Sequence, residues 1–133
     1  MIIPPAVAAE LAAGRAAGVD VPDPATLDWI VIRRVASAPA LPLVSDLGPG
    51  ETEVLALALE SSDAIVIVDD ALARRVAETI GIKLRGTLGI LIDAKRAGLI
   101  AAVTPILDEL EGLRFRLARH TRQAVLQEAG EEP

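Results

Sequence analysis

The chain of 133 residues contains no cysteine and only one histidine, His120. The absence of cysteine excludes disulfide bonds, zinc–thiolate sites and thiol nucleophiles. A single histidine argues against a histidine-based metal site and against a Ser-His-Asp hydrolase. Aromatic residues are also scarce, since only Trp29 and Phe115 are present, so the core must be built from Ala, Val, Leu and Ile. That composition is typical of α/β proteins.

Long apolar runs and a strongly basic composition are missing as well. No stretch reaches the roughly 18–20 uncharged residues that a membrane span needs, and the start "MIIPPAVAAEL" lacks the basic beginning of a secretory signal. We therefore expect a cytoplasmic protein without a membrane partner, folded as a single domain over residues 1–133. The formal charge of −6 argues against broad electrostatic binding to nucleic acid. A local basic patch or bound cations can still reverse the field where it matters.

The pattern of apolar residues predicts helices that alternate with strands, which implies a parallel sheet joined by crossover connections. We predict helices from Pro4 or Pro5 to about 17, from 51, over 71–80, 87–97, 104–112 with Thr104 as N-cap, and 119–129. We predict strands at 29–35, 64–68 and 82–84, and an edge strand at 113–117, "LRFRL". Residues 18–27 and 36–50 are predicted to be irregular, and Gly81 and Gly98 to end helices.

The stretch "IVIVDD" at 65–70 carries the clearest functional signal. An apolar run of this kind is typical of a strand covered on both faces, and ligands of open α/β sheets bind at the carboxyl ends of the strands. Asp69 and Asp70 lie at that end. Asp70 can be explained as the N-cap of the next helix, but capping accounts for one aspartate and not for two.

Three further acids fall at element ends that this topology can bring together. Glu10 lies on the first helix at the margin of its apolar face, and Glu51 and Glu53 lie in the first turn after "LGPG". Each has a simpler explanation, because Glu is a good helix former and acids in a first turn favour the helix dipole. Those explanations stay open for each residue taken alone.

As a group, however, the acids predict a site for a hard cation. Mg²⁺ and Mn²⁺ take oxygen ligands from a few carboxylates together with water and substrate phosphate, an arrangement suited to phosphodiester hydrolysis. Arg74, Arg75 and Arg85 offer contacts to phosphate. Their alternative role is an ordinary solvated helix face, which we favour for Arg74 or Arg75 taken individually.

Several segments resemble a branch of the PIN-domain superfamily related to the toxins of VapBC-type toxin–antitoxin pairs. They are "PPAVAAEL", "LGPGETEVLALALE", "AIVIVDDALARRVAETIGIKLRGTLGILIDAKRAGLI" and "VLQEAGE". The resemblance implies a three-layer α/β/α sandwich with a mainly parallel sheet. It also implies an endoribonuclease that depends on Mg²⁺ or Mn²⁺, with RNA as substrate, an antitoxin protein as a partner, and a homodimer.

The resemblance also assigns roles by position. Glu10 matches the helix glutamate of the PIN acidic cluster, Glu51 the acid before the central strand, and Asp69 the aspartate at the end of that strand. These three are the expected metal ligands, and Asp70 joins them as a candidate catalytic residue. Glu53 is a plausible neighbour of the cluster, and Thr87 in "GTLG" is expected to cap the next helix.

The chain departs from the family pattern at its start. PIN domains begin with a strand that ends in an aspartate, well before the glutamate matched to Glu10, and this sequence starts at Met1 past that point. We therefore expect a PIN-like fold that lacks its usual first strand. Three explanations stay open: a start assigned too late, a partner chain that supplies the strand, or a rearranged sheet.

Two functions of different classes follow from these observations. The first is a metal-dependent ribonuclease that uses Glu10, Glu51, Asp69 and Asp70. The second is a catalytically impaired PIN-like protein that binds a partner or itself through an exposed sheet edge or apolar grooves, as an interaction or regulatory module. A phosphoacceptor receiver domain fits less well, because receivers carry a further aspartate after the third strand and Asp93 falls within a helical pattern.

Overall fold

The computed structural model describes residues 1–36 and 47–131. The backbone divides into two compact units, Met1–Arg85 and Gly86–Pro133, and each is described by itself. The prediction of a single domain is not tested by this division and stays a prediction. Most of the connection predicted at 36–50 lies outside the described residues. Within the described ranges, none of the helices combines the length and the apolar content that crossing a membrane requires.

The first unit alternates short strands with helices. Its elements are β1 (Ile2–Ile3), α1 (Pro5–Ala16), a 3-10 turn (Pro24–Thr26), β2 (Val31–Ile32), α2 (Pro49–Glu60), β3 (Ile65–Ile67), α3 (Ala71–Thr79) and β4 (Lys83–Arg85). β1 pairs with β2 and β3 pairs with β4, both in parallel, so the described strands form two two-stranded sheets. The predicted α/β class with parallel strands is confirmed, although the strands do not form one continuous sheet.

The pair of β1 and β2 differs most from the sequence prediction. Ile2 lies opposite Val31 and Ile3 opposite Ile32, whereas β1 was not predicted and β2 was expected to span 29–35. The N-terminal ammonium of Met1 donates a hydrogen bond of 2.8 Å to the carbonyl oxygen of Trp29. Trp29 is 57% exposed, and Ile2, Val31 and Ile32 each expose about half of their surface.

The core of the first unit lies where α2 and α3 pack on one face of β3. Its buried members are Leu55, Ala58, Val66, Val68, Ala73 and Ala77. The other face of β3 is open, because Ile65 is 60% exposed and Ile67 is 43% exposed. The expectation that this strand is buried at every position is therefore wrong: helices cover one face of the pair, and the run "IVIV" alternates between core and solvent.

The second unit consists of α4 (Thr87–Arg96), α5 (Thr104–Gly112) and α6 (Arg119–Glu128). Its core is built from Ile92, Val103, Leu107, Val125 and Leu126. Gly98, at a φ of 75°, ends α4 as predicted, just as Gly81, also at 75°, ends α3. Such positive φ values favour glycine because a Cβ would be strained there.

The predicted edge strand 113–117 is wrong, because these residues close the C-terminus of α5. The backbone N–H groups of Leu113, Arg114 and Phe115 donate to the carbonyl oxygens of Glu109, Glu111 and Leu110. Arg114 adopts a left-handed φ of 67°. A backbone turned in this way cannot continue as an extended strand.

Glu131 supplies the cap of α5 from the far end of the second unit. Its Oε1 accepts from the N–H and the hydroxyl of Thr104, at 3.1 and 2.6 Å, and its Oε2 accepts from the Val103 N–H at 2.7 Å. Lys95 adds an ion pair of 3.0 Å. These bonds lower the pKa of Glu131 from 4.5 to about 2, with the Thr104 hydroxyl as the largest cause. The predicted N-cap at Thr104 is thus one residue late, since α5 is capped at Val103, and likewise Gly86 and not Thr87 precedes α4.

Candidate active site

A groove of about 250 Å³ in the first unit is lined by all four acids that the sequence analysis selected as catalytic. Glu10 comes from α1, Glu51 from the first turn of α2, and Asp69 and Asp70 from the residues between β3 and α3. The rest of the wall consists of Gly50 and the apolar residues Val7, Val54, Ile67 and Val68. Four acidic residues from three separate segments therefore border one concave surface, and apolar side chains form most of the rest of its wall.

Glu10 is held at the groove by the start of α2. Its Oε1 accepts a hydrogen bond of 3.2 Å from the backbone N–H of Gly50, 40 residues along the chain. The N-cap residue of α2 is Gly48, which has no side chain with which to cap the helix. Glu10 therefore satisfies one of the N–H groups that every helix leaves unpaired at its first turn.

Glu53, on α2, makes the corresponding contact with the start of α1. Its Oε1 accepts from the N–H of Ala6 at 3.3 Å, at the start of α1, where the N-cap residue is Pro4. Each of the two helices thus places a glutamate at the N-terminus of the other. Glu53 does not line the groove, so the structure gives it a part in fixing α1 against α2.

Asp70 is the N-cap of α3, the role that its position before the helix predicts. Its Oδ2 accepts from the N–H of Ala73 at 2.9 Å. Asp69 precedes it and also borders the groove. One aspartate therefore stabilises the helix start while both contribute negative charge to the same wall.

Two helix N-termini offset part of the repulsion among these acids. α2 begins at Pro49 and α3 at Ala71, and residues from both starts border the groove. The aligned peptide dipoles place about half a positive charge at each start, which stabilises a nearby carboxylate by about 0.3–1 kcal/mol. The backbone hydrogen bonds to Glu10 and Asp70 act in the same direction.

The donors at the groove fit a hard divalent cation by their chemistry, because carboxylate oxygens are the ligands that Mg²⁺ and Mn²⁺ prefer. Their present positions do not yet form a binding set: within residues 1–36 and 47–131, no three Asp, Glu or His side chains converge closely enough to hold a metal ion. Binding would require the carboxylates to turn toward one another. The roles of Glu10, Glu51, Asp69 and Asp70 therefore stay predictions.

The arginines considered as phosphate contacts lie elsewhere. Arg74 and Arg75 are exposed on α3, and Arg85 is half-buried in β4; none of the three lines the groove. Sequence reasoning missed Gly50 as a wall residue and the paired contacts of Glu10 and Glu53. The residues concerned are more than 30 positions apart, so no local pattern reveals them.

An α/β unit with parallel strands and an acidic groove beside two helix N-termini defines the general class of this protein. The chain belongs to the PIN-domain family: the family model DUF3368, described as a PIN domain, matches residues 1–131. No curated protein and no solved structure gives a significant match to the chain. The fold resemblance drawn from the sequence is thereby confirmed at the level of the family, and PIN domains generally use divalent metal ions.

Proposed function

We propose that this protein is a metal-dependent endoribonuclease of the VapC toxin type. The observation that carries the proposal is that Glu10, Glu51, Asp69 and Asp70 all line one groove of a PIN-family chain. Three segments distant in sequence contribute to that wall. A common task at the groove accounts for the presence of all four acids there.

In this proposal Glu10, Glu51 and Asp69 hold Mg²⁺ or Mn²⁺, and Asp70 orders the start of α3 beside them. A bound divalent ion supplies an activated water and stabilises charge on the scissile phosphate. Glu10 is kept at the groove by the Gly50 N–H. Asp70 uses Oδ2 for its capping bond and also borders the groove.

Charge explains why the cation would also be needed to admit RNA. The chain has a formal charge of −6, and the four acids at the groove repel a phosphate backbone. A bound divalent cation offsets part of this negative charge and can take a phosphate oxygen as a ligand. We therefore expect both RNA binding at the groove and cleavage to require the divalent ion.

The test is cleavage of single-stranded and structured RNA in Mn²⁺ by the wild type and by Glu51→Gln and Asp69→Asn. Loss of even a residue that only orients a metal ligand costs about 10–100-fold in metal affinity or activity, so each ligand variant should be slowed at least as much. Glu78→Gln is the matched control, because Glu78 is exposed on α3 and away from the groove wall. Equal cleavage by all four proteins, insensitive to EDTA, would exclude the proposed site.

A second candidate function is supported by a different observation. The open face of β3 exposes Ile65 and Ile67, and β1 and β2 expose Ile2, Val31 and Ile32. Exposed apolar residues that lie close together mark surfaces on which another chain can pack. In this case the protein is an interaction module that binds an antitoxin or a second copy of itself.

Light scattering after size exclusion separates the two candidates. A homodimer that Ile65→Lys converts to a monomer, in a protein without Mn²⁺-dependent cleavage, would favour the interaction module. A monomer at all concentrations, with Mn²⁺-dependent RNA cleavage, would argue against it.

A further inference from the structure

Two glycines flank Pro49 at the start of α2, and neither is required by its backbone conformation. Gly48 has a φ of −66° and a ψ of 162°, which other residues adopt readily. Gly50 lies in the first turn of the helix and lacks the left-handed φ seen at Gly18, Gly81, Gly98 and Gly130. Because glycine is less favourable than alanine inside a helix, another reason for glycine at position 50 is needed.

The space beside Gly50 is filled by the carboxylate of Glu10. A Cβ at position 50 would lie 2.7 Å from Oε1, 2.9 Å from Oε2 and 3.0 Å from Cδ of Glu10, and these are the three nearest atoms. Gly50 itself is buried. Gly48 shows the same relation to another acid of the groove, since a Cβ there would lie 2.6 Å from Oε2 of Glu51.

We propose that Gly50 is a positioning residue for Glu10: the missing side chain leaves the space in which the carboxylate reaches the N-terminus of α2. The hydrogen bond from the Gly50 N–H, 3.2 Å long, forms only if Glu10 lies directly over that backbone. The consequence for metal binding rests on the proposed function. The placement of Glu10 does not.

Alanine at position 50 should move Glu10 and leave the fold intact. The atoms that a Cβ would meet belong to the end of a flexible side chain, so the carboxylate can swing away without a shift of the backbone. The helix gains from alanine in place of glycine and loses one hydrogen bond. Because the lost hydrogen bond is a helix cap, the two effects partly cancel, and we expect a folded Gly50→Ala with a Tm close to or slightly below that of the wild type.

The first experiment measures the effect of Glu10→Ala on the Tm in two backgrounds, without metal. In the wild type Glu10→Ala should lower the Tm, because the Gly50 N–H loses its acceptor. In Gly50→Ala the same change should have little effect, because the Cβ has already displaced the carboxylate. An equal loss of Tm in both backgrounds would overturn the inference, because Glu10 would then remain in place despite the Cβ.

Gly112→Ala is the matched control. Gly112 is also helical and lacks a positive φ, and no described atom lies within 4 Å of where its Cβ would be. It should leave the effect of Glu10→Ala on the Tm unchanged. If Gly112→Ala also abolished that effect, its loss in Gly50→Ala would not report on Glu10 and the inference would be rejected.

The second experiment measures Mn²⁺ affinity by water proton relaxation. Gly50→Ala should bind Mn²⁺ about tenfold more weakly than the wild type, the lower end of the loss seen when a residue that orients a metal ligand is changed, and Gly112→Ala should bind it as well as the wild type does. Unchanged affinity in Gly50→Ala would contradict a positioning role in metal binding. A wild type that binds no Mn²⁺ would reject the proposed function and the metal part of the inference, while the comparison of Tm values without metal still decides whether Gly50 positions Glu10.

Discussion

At the scale of single residues, several acids of this protein accept hydrogen bonds from backbone N–H groups at helix starts, including two acids that line the groove. Glu10 and Asp70 each accept a hydrogen bond from the first turn of a helix, and Glu131 does the same in the second unit. A carboxylate at a helix start stabilises the fold and keeps its charge. Such residues can therefore contribute to a functional site without lowering the stability of the fold.

Asp70 allows the cap and the charge to be separated. Asp70→Ala removes the acceptor of the Ala73 N–H and should lower the free energy of unfolding by about 0.5–2 kcal/mol. Asp70→Asn retains an acceptor and should stay close to the wild type. Urea unfolding of both variants measures the difference, and equal losses in the two would show that the capping bond is not the stabilising contribution.

Glu131 predicts a specific dependence of stability on pH. Its pKa is lowered from 4.5 to about 2 in the folded protein, so the ionised carboxylate stabilises the fold above pH 4.5 and this contribution disappears as the pH falls toward 2. Glu131→Gln should therefore be less stable than the wild type at pH 6, and the gap should close below pH 4.5.

Urea unfolding at several pH values between 2 and 6 tests this. Glu128→Gln is the control, because Glu128 makes an exposed ion pair with Arg96 at 3.4 Å, and exposed pairs contribute little. A gap between Glu131→Gln and the wild type that stays constant down to pH 2 would contradict the assignment.

The positions of three acids at one groove could be anticipated from the sequence, although their roles stay predictions. Asp69 and Asp70 follow a strand, and Glu51 opens a helix, so their meeting at one groove follows from the α/β topology. The capping role of Glu131 and the space beside Gly50 depend on contacts across 27 and 40 residues. No periodicity in the sequence encodes those distances.

At the scale of elements, α1 and α2 are joined by the exchange of two glutamates. Glu10 caps α2 and Glu53 caps α1, because the N-cap positions are occupied by Gly48 and Pro4. The exchange sets the orientation of α1, which carries Glu10 to the groove.

Glu53→Ala tests this exchange. Removal of a capping acceptor should lower the free energy of unfolding by about 0.5–2 kcal/mol, whereas Glu78→Ala on the exposed side of α3 should stay within about 0.5 kcal/mol of the wild type. Chemical denaturation measures both. The role assigned to Glu53 would be wrong if the two variants proved equally stable.

Helices were predicted more accurately than strands for a physical reason. The residues that begin and end a helix lie close together in the sequence. For α3 and α4, the residues that end the helix include Gly81 and Gly98. β1 has only two residues and can be recognised only by its pairing with Val31–Ile32. The apolar pattern at 113–117, which was predicted to be a strand, belongs to the segment that ends α5.

At the scale of the whole molecule, two separate cores stabilise the two units. Leu55 is fully buried in the first and Leu107 in the second. Truncation of a fully buried leucine to alanine costs about 2–5 kcal/mol. The unit whose core carries the substitution should be destabilised more than the other unit.

Hydrogen exchange of Leu107→Ala measures this. We expect faster exchange of the amides in α4, α5 and α6 and a smaller change over residues 1–36 and 47–85. Leu55→Ala should show the reverse. Equal acceleration along the whole chain in both variants would mean that the two units unfold as one.

The exposed indole of Trp29 beside the pair of β1 and β2 has a practical consequence. As the sole tryptophan in a chain without tyrosine, it is a built-in optical label for this edge. Its solvent contact makes it a poor monitor of unfolding, because denaturation changes its environment little. Any protein that covers β1 and β2 would shield it from quenching by acrylamide, so association at this edge can be detected without attaching a dye.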